Sequence, residues 1–77
     1  MIRKQKSLEL IGKKIRELRL KQGFSQEELA DSAGVARAYM GRVERGEQNI
    51  SIQNLIKIAL ALKLEVGDLI PPIKDLK

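Results

Sequence analysis

Three arginines lie close together in the middle of the 77-residue sequence, at Arg37, Arg42 and Arg45. A guanidinium carries five N–H donors in a planar fork, and this fork matches the paired acceptors of a phosphate group or of a guanine base. The surrounding residues have helical periodicity, so Arg37 and Arg42 are expected on the same general side of a helix. The chemistry that this segment offers is hydrogen bonding to phosphates and bases.

Two short helical patterns joined at Gly34 would position these arginines. Ser25 and Glu28 have the spacing of a capping box, which predicts a helix beginning near Gln26, and Gly34 is suited to ending it. A second helix is predicted within 35–45. Its inward residues would be Val35, Met40 and Val43, and its outward residues Arg37, Ala38, Gly41, Arg42 and Arg45. Two helices joined by a short glycine-containing turn form a helix-turn-helix unit, whose second helix enters the major groove of DNA.

The flanking sequence predicts three more helices within one domain. A basic arm over 1–6 precedes a helix over 7–22 that Ser7 would cap, and a further helix is predicted over 51–62 with Ser51 as its cap. The 51–62 pattern has too many apolar residues for one stripe, so we expect it to be buried on more than one side, in the core or at an interface. A short fifth helix is predicted over 66–70, followed by a tail over 71–77.

Composition favours a polyanionic partner and argues against catalysis. The net charge is +5, and the basic excess lies in residues 1–23, which carry eight Lys or Arg and two Glu. The sequence has no Cys and no His, so a disulfide framework is excluded and catalysis would depend on residues that have simpler roles. No apolar run reaches the roughly 18 residues of a membrane span. We therefore expect a cytoplasmic, nucleoid-associated protein that is not an enzyme and needs no cofactor.

The segment FSQEELADSAGVARAYMGRVERGEQNIS resembles the helix-turn-helix of the Cro/C1-type (XRE-like) transcriptional regulators, and the resemblance extends over about residues 8–70. It implies an all-α, five-helix, lambda-repressor-like domain that binds double-stranded DNA as a homodimer. Short chains of this type are similar to the controller proteins of restriction-modification systems, and small phage and plasmid regulators look alike.

The resemblance also implies roles for individual residues. Arg37 matches the principal base-reading position, Arg42 is a second candidate for reading guanine, and Ala38 could meet a thymine methyl group. The predicted phosphate contacts are Gln26, Tyr39, Arg45, Gln48 and Asn49. The family pairs Glu44 with Arg19 in a largely buried salt bridge.

Two positions depart from the family pattern. Ala36 stands where a Ser or Thr commonly caps the recognition helix, so this helix lacks a side-chain cap. Gly41 stands where bulkier residues are usual, and we interpret it as permitting a close approach to the duplex.

The C-terminal surface is the expected dimer interface. The residues predicted for it are Leu64, Val66, Leu69, Ile70 and Ile73. Twofold pairing would give a near-palindromic operator, and RNA polymerase would be a further partner if the protein activates transcription. The alternative is an antitoxin or adaptor that binds a partner protein through the same C-terminal helices.

Overall fold

The computed structural model describes residues 5–76, and these residues contain helices and no strand. The four α-helices are α1 (Lys6–Lys21), α2 (Gln26–Ala33), α3 (Arg37–Glu44) and α4 (Ile52–Leu62). Two 3₁₀ helices follow, Val66–Leu69 and Ile73–Asp75, and the first of them is the predicted fifth helix. The all-α class and the five-helix order are confirmed.

The start of α1 differs from the prediction. Gln5 is its N-cap, without a side-chain hydrogen bond, and its carbonyl oxygen accepts from the Glu9 amide at 3.0 Å. Ser7 is therefore the second residue of α1 and not its cap. Lys6 is a good helix former, so nothing in the sequence delays the helix until Ser7. Residues 1–4 of the predicted arm lie outside the described residues.

The helix-turn-helix forms through the predicted caps. The Ser25 hydroxyl accepts from the Glu28 amide at 3.0 Å, and the Glu28 carboxylate accepts from the Ser25 amide at 2.8 Å. Gly34 ends α2 with φ of +73°, a left-handed conformation that most residues adopt only with strain. Ser51 caps α4 as predicted, by accepting from the Asn54 amide at 3.1 Å.

The core lies where α2, α4 and the first 3₁₀ helix meet α1 and α3. Its fully buried large side chains are Ile15, Leu29, Met40, Ile58, Leu62 and Leu69. Phe24 is half-buried and packs against this cluster. Since the inner sides of α2 and α3 both contribute, the opposite side of α3 is left for solvent or a ligand.

Candidate nucleic-acid interface

A buried ion pair anchors α3 to α1. Arg19 Nε donates to Glu44 Oε2 at 2.7 Å, and Arg19 Nη2 donates to Glu44 Oε1 at 3.0 Å. Arg19 Nη1 also donates to the carbonyl oxygen of Phe24 at 2.9 Å, so the guanidinium holds three acceptors. Both residues are less than one-tenth exposed. The predicted bridge is confirmed, and it fixes the end of α3 relative to the rest of the fold.

Gln26, the first residue of α2, is held by the same carboxylate. Its Nε2 donates to Glu44 Oε1 at 3.1 Å, so α2 and α3 are joined through one side-chain contact. The carboxamide keeps a second N–H that a phosphate oxygen could accept. Gln26 therefore lies at the junction of the two helices, in the position predicted for a backbone contact.

The prediction that Gly41 lies on the outward side of α3 is wrong. It is buried, and a Cβ at this position would lie 3.3 Å from Gln26 Oε1 and 3.1 Å from Arg45 Nη1. The missing side chain makes room for the carboxamide and guanidinium groups of its neighbours. The helical period of 3.6 residues turns Gly41 toward α2, while Ala38 and Arg42 remain further round the helix.

The start of α3 presents two exposed residues, Arg37 and Ala38. Arg37 Nη1 lies 3.5 Å from Glu27 Oε2, and about two-thirds of each side chain is exposed. An ion pair so exposed stabilises little and exchanges readily. The Arg37 guanidinium is thus available at the beginning of the helix, beside the methyl group of Ala38. The cap that would normally precede them is absent, since Ala36 makes no side-chain cap hydrogen bond.

Arg42 has a different environment from Arg37. Its Nε donates to Gln48 Oε1 at 3.2 Å, and its guanidinium carbon lies 6.0 Å from the centre of the Tyr39 ring. The Tyr39 hydroxyl in turn accepts from Asn54 Nδ2 at 3.0 Å. All four side chains are half-buried. The sequence did not predict this connected row, because the turn between α3 and α4 decides which side chains meet.

The remaining predicted phosphate contacts lie at the end of α3 and in the following turn. Arg45 is exposed, and its Nε donates to Glu47 Oε1 at 3.0 Å. Asn49 is exposed as well. Together with Gln26 and Tyr39 they bracket the outward side of α3.

The C-terminal surface differs in one respect from the predicted interface. Leu69 is completely buried within the monomer and belongs to the core, so it has no surface to offer a partner. Leu64, Val66 and Ile70 are half-buried against the core, whereas Ile73 is 75% exposed.

The outer side of α4 is more apolar than is usual for an exposed surface. Ile52, Ile56 and Leu60 follow one another at intervals of four residues, and all are exposed, Leu60 to 70%. The excess of apolar residues in 51–62 was the sequence signal for this surface, although it did not identify which residues would be exposed. Exposed apolar residues at helical spacing are typical of an interface.

Residues 5–76 contain neither a candidate metal site nor a candidate membrane-spanning helix. No group of three or more acidic residues there could hold a metal ion. No helix in this part of the chain has both the length and the apolar character needed to cross a bilayer.

The sequence profile of the helix-turn-helix family HTH_3 matches residues 15–69, which include α2 and α3 and most of the core. The chain belongs to this family. Its members are DNA-binding transcriptional regulators of the Cro/C1 (XRE-like) type and not enzymes, so the predicted class is confirmed.

The chain is similar to two control or controller proteins. The chain is 42% identical over 62 residues to the control protein C.BamHI of Bacillus amyloliquefaciens, a match that covers 79% of this chain and 76% of that protein. The restriction-modification controller protein C.AhdI from Aeromonas hydrophila has a similar structure, with a TM-score of 0.80 and 47% identity over 80% of this chain and 94% of that one.

The chain is also similar to SinR, described as the master regulator for biofilm formation. Its structure in complex with DNA matches with a TM-score of 0.73 and 43% identity, over 77% of this chain and 95% of that one. The complete SinR of Bacillus subtilis is longer, and the matching region makes up 56% of it.

Proposed function

We propose that this HTH_3 regulator binds a near-palindromic operator in double-stranded DNA as a homodimer, with α3 in the major groove. The observation that carries the proposal is the position of Arg37 and Ala38. They are exposed at the start of a helix whose other end is fixed to the core through Glu44 and Arg19. Because the helix is already held in place, little further conformational entropy is lost when its first turn binds base edges.

Arg37 is the principal base-reading residue in this proposal. Its exposed contact with Glu27 is easily exchanged for the O6 and N7 atoms of guanine, a pairing that contributes about 1 to 3 kcal/mol of discrimination. Ala38 would lie against a thymine methyl group, and Arg42 would read a second guanine. Arg37→Ala should therefore relax base preference at one position of each half-site.

The phosphate contacts would come from the groups that bracket α3. Gln26 has a second amide hydrogen beyond the one donated to Glu44, and the Tyr39 hydroxyl accepts from Asn54 while its own hydrogen remains to be donated. Arg45 and Asn49 are exposed at the end of α3 and in the following turn. Such contacts orient the domain without reading sequence.

The proposed dimer uses the exposed apolar residues of the C-terminal half. These are Ile52, Ile56, Leu60 and Ile73, with the exposed parts of Leu64, Val66 and Ile70. A twofold axis through this surface would bring two α3 helices about one turn of DNA apart, roughly 34 Å.

The decisive experiment is selection of bound fragments from random duplexes, followed by mobility shifts at about 50 and about 200 mM salt. We expect a symmetrical consensus with half-sites one turn apart. We also expect an affinity that falls about tenfold or more between the two salt concentrations, the change produced by two neutralised phosphates. Equal competition by random duplexes would contradict the proposal.

The same exposed apolar surface supports a second candidate, an antitoxin or adaptor that binds a partner protein. An adaptor should give no sequence-specific shift in the same assay. The similarity to C.BamHI and C.AhdI supports control of a restriction-modification operon as the biological role, in the cytoplasm and with RNA polymerase as a partner if transcription is activated.

A further inference from the structure

Four half-buried side chains from α3, the following turn and α4 form a connected row. Asn54 of α4 donates to the Tyr39 hydroxyl at 3.0 Å, Arg42 lies over the Tyr39 ring at 6.0 Å, and Arg42 Nε donates to Gln48 Oε1 at 3.2 Å. The guanidinium is therefore held on two sides before any ligand is present.

We propose that Gln48 is a specificity-determining residue that acts by positioning Arg42, and not as a direct phosphate ligand. Its carboxamide oxygen fixes the plane of the guanidinium by accepting from Nε, while Tyr39 supports one face. This inference rests on the proposed function, since it concerns how the same helix reads bases.

The positioning of Arg42 determines which of its N–H donors remain available for DNA. The guanidinium has one N–H on Nε and four on its two Nη atoms. With Nε engaged by Gln48, the edge that carries Nη1 and Nη2 remains for the ligand. Those two nitrogens are spaced to donate to the O6 and N7 atoms of guanine. The row thus selects an end-on contact of Arg42 with a guanine in the major groove.

The row also lowers the entropic cost of that contact. A long side chain that is mobile in the free protein loses rotamer freedom when it binds, and a chain that is held beforehand loses less. Arg37 provides the internal comparison, because its contact is a longer and well-exposed one with Glu27. Arg42 should therefore discriminate guanine more strongly with Gln48 present than without it.

The first test uses the free protein and NMR of the Arg42 Nε–Hε group. In the wild type this signal should be protected from exchange with water, and Gln48→Ala should remove the protection. Asn49→Ala is the matched control, because it truncates a neighbouring exposed amide and should leave the signal unchanged. An Arg42 signal that does not respond to Gln48→Ala would overturn the proposal.

The second test measures affinities for the selected operator and for duplexes in which each guanine is replaced in turn. Arg42→Ala should reduce the preference for guanine at one position of the half-site by about five- to 150-fold. Gln48→Ala should reduce it at that same position by about two- to twelvefold, and leave the other positions unchanged. The double variant, Arg42→Ala with Gln48→Ala, should prefer guanine at that position as much as Arg42→Ala alone does, because Gln48 acts only through the arginine.

The outcomes separate this inference from the proposed function. A Gln48→Ala variant that weakens binding to every duplex equally would identify a phosphate ligand and reject the positioning role. The positioning role would also be rejected if the losses of guanine preference add in the double variant, or if Arg42→Ala leaves base preference unchanged. Neither result would affect the proposal that the wild type binds an operator. A wild type with no sequence preference would reject the proposed function together with this inference.

Discussion

The backbone of α1 at Gly12 approaches the carbonyl oxygen of Glu44 so closely that a Cβ on residue 12 would lie 2.8 Å from it. The same Cβ would also clash with the carbonyl oxygen of Val43. Gly12 is therefore the point at which the first helix and the recognition helix cross, and the absence of a side chain there sets the depth at which α3 sits.

Gly12→Ala should destabilise the fold by about 1 to 3 kcal/mol, the usual cost of overpacking, even though alanine is the better helix former by about 1 kcal/mol. The clash is with backbone, which cannot rotate away as a side chain would. Urea denaturation measures the loss. Gly67→Ala is the matched control, because open space surrounds that position and its φ is not positive, and its stability should stay near that of the wild type. Equal stabilities for the two variants would refute this reading of the crossing.

Removing one partner of the Arg19–Glu44 pair should cost about 3 to 5 kcal/mol, because the other charge would remain buried without its counter-ion. Glu44→Leu and Arg19→Met test the two sides by chemical denaturation. The double variant Arg19→Met with Glu44→Leu should recover much of the loss, since it leaves no buried charge. If the double variant loses as much free energy of unfolding as the two single variants together, the two residues are not coupled, which would contradict the geometry.

Ala36→Ser should stabilise the protein by about 1 kcal/mol by supplying the missing cap of α3. Ala36 already has the extended conformation of an N-cap, with φ of −68° and ψ of 144°, so a hydroxyl there can accept from the free amides of the first turn. Thermal unfolding checks the gain. Ala38→Ser adds the same hydroxyl inside the helix and should give no increase in melting temperature.

The carboxylate of the α2 capping box gives a pH dependence of known sign. Hydrogen bonds to Glu28 from the backbone and then the side chain of Ser25 hold the pKa of the carboxyl below its ordinary value. The folded state thus binds its proton less readily than the unfolded state. The stabilisation is present above the ordinary pKa and is lost as pH falls through the lowered one. Glu28→Gln should flatten that part of the stability curve, and an unchanged curve would contradict the assignment.

Local sequence signals predicted most of the fold. Three of these signals are local: the capping box at Ser25, the cap at Ser51 and the turn at Gly34. Each depends on residues close together in the chain, so the local sequence is enough to predict it. The Arg19–Glu44 bridge joins residues far apart, and only the family resemblance made it predictable.

Features that depend on tertiary packing were the ones missed. The burial of Gly41 and the close crossing at Gly12 follow from the angle at which α3 meets α1 and α2, and a glycine in a helical pattern signals neither. The meeting of Arg42 with Gln48 depends on the path of the turn before α4. Leu69 was assigned to the interface because an apolar residue in a short helix has the same sequence signature whether it faces the core or a partner.

Ile73→Asp should break the proposed dimer and leave the monomer folded. The side chain is 75% exposed, so a carboxylate there meets water in the monomer but would be desolvated between two copies. Ile70 is a weaker choice for the same test, because it packs against the core and its replacement by Asp would also disturb the fold. Sedimentation should show Ile73→Asp as a monomer of 8.7 kDa, and its operator affinity should fall because each half-site is then bound singly. Leu20→Asp, at an exposed apolar position of α1, is the control and should remain dimeric. A dimeric Ile73→Asp variant with undiminished operator affinity would exclude this residue from the interface.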